Sequence, residues 1–167
     1  MTHRKMEKAK LLPFLLTAAL LLSLVSCRQG ADATPKKPLQ LYYRDVAIGV
    51  GMEIEPLLTA LGEDYTVDEA QSCAGIGRDM VYTYPSLRLY AFEPVSGVAR
   101  LTSAVYTDDG AEILGIRIGS MATDVIEALG EPAEQSEQKI AYCDDVSTLT
   151  FSLREGRVSA IVLSEKE

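Results

Sequence analysis

Tryptophan is absent from the 167 residues, and the one histidine is His3. Cysteine occurs three times, at Cys27, Cys73 and Cys143. Each scarcity excludes some chemistry. Beyond residue 3 no imidazole exists, so Ser-His-Asp and Cys-His nucleophilic catalysis lack their general base. Histidine-ligated zinc and iron sites fall for the same reason. Calcium binding and carboxylate-pair hydrolysis survive, because they run on acids alone. Positive charge is also short: 16 Lys and Arg stand against 24 Asp and Glu, a net of −8. The first 27 residues hold four of the basic residues and one acid, which leaves 12 basic and 23 acidic residues beyond them, a net of −11. Such a surface repels phosphates and argues against nucleic acid. It equally argues against a polybasic grip on anionic lipid.

The chain has one long apolar run, Leu11 to Val25, behind a basic start of His3, Arg4, Lys5, Lys8 and Lys10. The run is too short to span a bilayer comfortably and lacks a polar flank on its far side. It ends in Leu24-Val25-Ser26-Cys27. That ending resembles the lipobox of bacterial lipoproteins. The resemblance implies cleavage before Cys27, lipid on Cys27, and an extracytoplasmic protein anchored to the cell membrane. Residues 1–26 are then a leader, and residues 27–40 the lipidated cysteine and a tether. Arg28 to Pro38, RQGADATPKKP, is polar with two prolines, and its composition reads as disordered.

Self-similarity follows. Gly51 to Glu63, GMEIEPLLTALGE, matches Gly119 to Glu131, GSMATDVIEALGE, at a constant offset of 68. Ile54, Leu57, Leu58 and Leu61 occupy one helix face, as do Ala122, Val125, Ile126 and Leu129. Pro56 is tolerated only in a first turn, which starts the first helix near Glu53. Gly62 and Gly130 predict left-handed C-terminal caps. Strands are expected at Asp79 to Tyr84, Leu87 to Phe92 and Arg100 to Thr107. A second set is expected at Gln138 to Cys143, Thr148 to Leu153 and Arg157 to Leu163. Glu155-Gly156 reads as a hairpin tip. The expected fold class is therefore α+β. Two tandem helix-plus-antiparallel-meander repeats, residues 41–110 and 111–167, would form one sheet of about six strands with helices on one face.

An opening I-x-I-G, a helix ending in A-L-G-E and a meander closing on an apolar strand resemble the β-lactamase-inhibitor-protein-like repeat. Small outer-membrane assembly lipoproteins of the SmpA/OmlA type share that layout. The stretch Ser72 to Tyr84 resembles a block in uncharacterised clostridia-type lipoproteins. The likeness covers about Leu41 to Leu163. Relative to the inhibitor proteins, this chain lacks tryptophan and has shorter repeats.

Candidate sites are few. Tyr82 and Tyr84 are two apart on one strand, with Met80, and so share a face. Tyr90, Tyr106 and Tyr142 fall on neighbouring strands. Tyrosine offers large contact area at low rotamer cost, so Tyr82, Tyr84, Tyr90 and Arg88 form a candidate binding face on the open side of the sheet. The competing reading places such tyrosines in the core, because Tyr favours strands. Cys73 and Cys143 form either a disulfide, adding about 4 kcal/mol on the chain-entropy model, or two unpaired small buried thiols. Asp108-Asp109 and Asp144-Asp145 read as turn residues rather than metal ligands. Gly49-Val50-Gly51 and Gly75-Ile76-Gly77 complete no phosphate-loop pattern. No metal, cofactor or catalytic residue is expected. The expected role is a non-enzymatic, lipid-anchored module that binds a protein, peptide or cell-envelope ligand. The alternative is an inhibitor or sensor of a secreted enzyme, presenting the Pro94 to Gly97 loop.

Overall fold

The computed structural model describes residues 39–73, 76–108 and 112–166. The expected leader, residues 1–26, and Cys27 lie outside the described residues. A two-stranded sheet comes first, β1 (Leu41–Tyr43) against β2 (Val46–Ile48). Helix α1 (Ile54–Leu61) follows, then β3 (Thr66–Gln71), β4 (Gly77–Thr83), β5 (Leu87–Pro94) and β6 (Arg100–Tyr106). Helix α2 (Ala122–Leu129) precedes β7 (Glu134–Gln135), β8 (Lys139–Cys143), β9 (Ser147–Arg154) and β10 (Arg157–Glu165). The large sheet is antiparallel, in the order β3-β4-β5-β6-β10-β9-β8-β7.

The expected fold class does not hold. The molecule is mostly β, with eight strands in one sheet, a separate two-stranded sheet and two short helices. It is not a pair of helix-plus-meander repeats sharing six strands. Beyond the separate two-stranded sheet, the difference lies at the edges of the large one. β3 is exposed at every position, so it carries no apolar alternation to announce it. β7 is only two exposed residues, Glu134 and Gln135. Both edges carry acids (Asp68 and Glu69 on β3, Glu134 on β7), which discourages pairing with another chain.

Each helix has eight residues and is marginal alone. Packing holds them. Ile54, Leu57 and Leu61 of α1 are buried, as is Val125 of α2. Hydrogen bonds from the sheet fix both helix ends. Tyr84 Oη donates to Gly62 O at 3.0 Å, and Tyr142 Oη to Gly130 O at 2.9 Å. Ahead of the helices, Arg100 Nη1 donates to Gly51 O and Arg157 Nη1 to Gly119 O, each at 2.9 Å. Gly62 (φ 88°, ψ 172°) and Gly130 (φ 81°, ψ −156°) have positive φ but extended ψ. They occupy the region open essentially to glycine alone, not the left-handed helical one.

Strand alternation sorts the sheet into two sides. Met80, Tyr82, Leu87, Leu89, Leu101, Tyr106, Phe151, Ile161 and Leu163 face the helices and the small sheet, forming one buried core. The other side is covered by no described element.

Candidate functional site

The uncovered side is built by register. One row runs Val81, Tyr90, Ser103, Ser164, Thr148, Cys143 across β4, β5, β6, β10, β9 and β8. The next runs Thr83, Arg88, Val105, Val162, Thr150 and, at its buried end, Ala141. Phe92 lies beyond Tyr90 on β5, and β6 bulges between the Tyr90 and Ala91 pairings, which inserts Thr102. The centre of the face is thus small: serine, threonine, valine and alanine. Short β-branched and hydroxyl side chains suit a flat strand surface. Several hydroxyls are already satisfied by the sheet. Ser103 Oγ donates to Leu163 O at 3.0 Å, and Thr102 Oγ1 to Tyr90 O at 3.1 Å. Arg88 is the charged side chain in these two rows, and it is exposed.

The four residues grouped as a binding face do not share one. Tyr90 and Arg88 lie on the uncovered side. Tyr82 (8% exposed) and Tyr84 (2%) point into the core. The register explains it: Tyr82 pairs with Leu89, whereas Val81 pairs with Tyr90 and Thr83 with Arg88. Tyr82 and Tyr84 instead flank Tyr65, with ring centroids 5.4 and 5.3 Å away, and Tyr43 packs on Tyr84 at 6.0 Å. Burial pushes the Tyr84 hydroxyl up to about 12, with the neighbouring tyrosines adding to it. Tyr106 and Tyr142 are core residues too. Burial pushes the Tyr106 hydroxyl higher still, and its Oη has no hydrogen-bond partner among the described residues.

Cys73 and Cys143 are both free. Cys73 lies in the turn between β3 and β4, and Cys143 ends β8. Five strand spacings separate β4 from β8 in the sheet order. At about 4.8 Å each that is roughly 24 Å, far beyond the Cα separation of about 7 Å that a disulfide tolerates. The candidate disulfide is therefore excluded.

Asp144 is buried and answers to a specific set of donors. Its Oδ2 accepts from Leu39 N at 2.8 Å; its Oδ1 accepts from Val146 N at 2.9 Å, Ser147 N at 2.6 Å and Ser147 Oγ at 2.8 Å. Burial alone would raise its pKa, but those hydrogen bonds outweigh burial and hold it down at about 2. The turn reading of Asp144-Asp145 is half the story, since nothing local foretells the contact with Leu39.

An acidic groove of about 680 Å³ runs between α1 and the β3–β5 edge, lined by Glu53, Glu55, Glu69, Glu93, Arg78 and Tyr82 among others. Arg78 sits within it, 2.8 Å from Glu69 and 2.6 Å from Glu93, and those carboxylates raise its pKa, the hydrogen bond to Glu93 foremost. Among the described residues no group of three or more His, Cys, Asp or Glu side chains could hold a metal ion, and no helix is long and apolar enough to cross a membrane.

No family model matches the chain, and no curated protein does. Among solved structures it is similar to an extracellular protein containing an SCP domain from Bacillus anthracis str. Ames, at 9% identity and a TM-score of 0.49. It is also similar to a cysteine-rich secretory protein from Staphylococcus aureus subsp. aureus Mu50, at 11% identity and a TM-score of 0.37. Each likeness covers 70% of this chain and 44% of the other, so the chain spans less than half the length of either.

Proposed function

We propose that the chain is a non-enzymatic, extracytoplasmic interaction module, anchored by lipid on Cys27, that binds a protein, peptide or cell-envelope ligand through the uncovered sheet face. The supporting observation is that face. Six adjacent strands present small, flat, largely uncharged side chains, with Tyr90, Phe92 and Arg88 toward one end. A partner meets little side-chain entropy there and few charges to desolvate. Tyrosine and arginine are enriched among the residues that dominate binding energy at interfaces, and phenylalanine is enriched in interface composition. The chain supplies no imidazole beyond His3 for nucleophilic catalysis. The test is photo-crosslinking in native membranes, with a crosslinking residue at Val105 and a control at Glu55 on α1. A partner captured from Val105 and not from Glu55 supports the reading. Equal or absent capture at both ends it.

A second reading, inhibition or sensing of a secreted enzyme, draws on Val95. It stands in the hairpin loop between β5 and β6 and is 82% exposed. Replacing Val95 with Asp separates the two, since it abolishes loop insertion and leaves capture from Val105 intact.

A further inference from the structure

Leu114 is placed against its own chemistry. Ile113 and Ile116 exchange both backbone hydrogen bonds at 2.8 Å around Leu114-Gly115, and both central residues have positive φ, 49° and 83°. This is a primed two-residue turn, whose first position favours Asn, Asp or Gly. A leucine there is strained in the backbone, and its side chain is 72% exposed. Beside it Tyr42, 44% exposed, is bridged to Glu112. Leu39, Gln40, Ile113, Leu129 and Leu149 complete a mostly apolar groove of about 240 Å³ behind them.

Leu39 is also the first described residue, and Asp144 fastens its amide beside this groove. Only residues 28–38 separate it from Cys27. Fully stretched, that length reaches at most about 40 Å. No other described residue is nearer to Cys27 along the chain. We propose that Leu114, Tyr42 and the groove behind them form a lipid-contacting tip that enters the surface of the bilayer in which Cys27 is anchored. The inference rests on the lipid-anchor reading above. An anchor makes the second contact intramolecular, so a weak apolar tip is occupied. Tyrosine favours the membrane interface. Nearby, Glu112 is exposed, and Lys166 Nζ is engaged by Asp144 O at 3.0 Å. The groove lining itself carries no charged side chain, so the contact is apolar rather than electrostatic and holds on uncharged lipid.

The experiment uses the full lipidated chain in phosphatidylcholine vesicles. An environment-sensitive fluorophore is placed at Leu114→Cys, with Cys73→Ser and Cys143→Ser, and compared with Arg154→Cys at the far end of β9. The expected result is a blue shift at 114, with loss of intensity when nitroxide-bearing lipid is present, and neither change at 154. Three results overturn the tip. The fluorophore at 114 stays unshifted while mass spectrometry shows acylated Cys27 and the protein floats with the vesicles. It is blue-shifted before vesicles are added. Both positions shift alike. Unmodified Cys27 without flotation overturns the anchor reading, and the tip with it.

Discussion

The carboxylate of Asp144 accepts a hydrogen bond from the backbone amide of Leu39 at 2.8 Å, across 105 residues of chain. It ties the entry of the described fold to the turn between β8 and β9. Three further donors, from Val146 and Ser147, converge on the same side chain. The ionised form is therefore favoured in the folded state, at about 2, against about 3.9 for an unfolded aspartate. A depressed folded pKa stabilises above the unfolded value, and that stabilisation is lost as pH falls through the folded value. The window runs from about pH 4 down to about pH 2. By linkage the contribution is on the order of 2 kcal/mol. Thermal melts from pH 6 to pH 2 check it. Wild type loses the increment across that window, whereas Asp144→Ala is less stable throughout the upper range and flatter within it. Parallel curves would show that ionisation of Asp144 adds no pH-linked stability.

Two buried tyrosines predict opposite responses to the same change. Tyr84 Oη donates to Gly62 O at 3.0 Å and so caps α1 from the sheet. Tyr84→Phe loses that bond and costs about 1 kcal/mol. Tyr106 Oη, fully buried, has no partner among the described residues. Tyr106→Phe removes an unsatisfied polar group and is neutral or stabilising by up to about 1 kcal/mol. Urea unfolding of both variants decides it, and equal destabilisation by the two would contradict this assignment of their hydroxyls.

The thiols give a simpler check. Cys73 is exposed, and Cys143 is half-buried with Sγ 3.6 Å from Thr148 Oγ1. A thiol reagent under native conditions should modify Cys73 quickly and Cys143 slowly. Reductant should leave the melting temperature unchanged. A melting temperature that falls on reduction would restore the bridge and break the sheet order.

How much of this was legible follows from particular residues. The helices were readable, because Ile54, Leu57 and Leu61 are buried at helical spacing and Pro56 and Gly62 bound them. The inner strands were readable from alternation such as Leu87, Leu89 and Ala91, buried between half-exposed or exposed neighbours. β3 was not, since all its residues are exposed, and neither an apolar alternation nor its register with β4 is written in them. The same missing register misplaced Tyr82 and Tyr84. Shared parity told that they face one way, and only the pairing of Tyr82 with Leu89 tells which way. Arg88 between Leu87 and Leu89 could have fixed the outer side of β5, and Tyr90 with it. Cys73 and Cys143 show the same limit: sequence counts cysteines, and strand order separates them.

Leu114 gives the last prediction, because fold and proposed role pull it in different directions. Its φ of 49° in a tight turn is one that asparagine adopts with less strain. Leu114→Asn should therefore raise stability in solution by about 0.5–1 kcal/mol. That amounts to a few degrees in melting temperature for a domain of this size. Gly115, at φ 83°, responds oppositely, and Gly115→Ala should destabilise. If leucine were retained for packing, Leu114→Asn would instead lower stability, and calorimetry reads that sign directly. On vesicles the same variant should lose the apolar contact while gaining intrinsic stability. A residue serving only the fold would not divide its two readouts in this way.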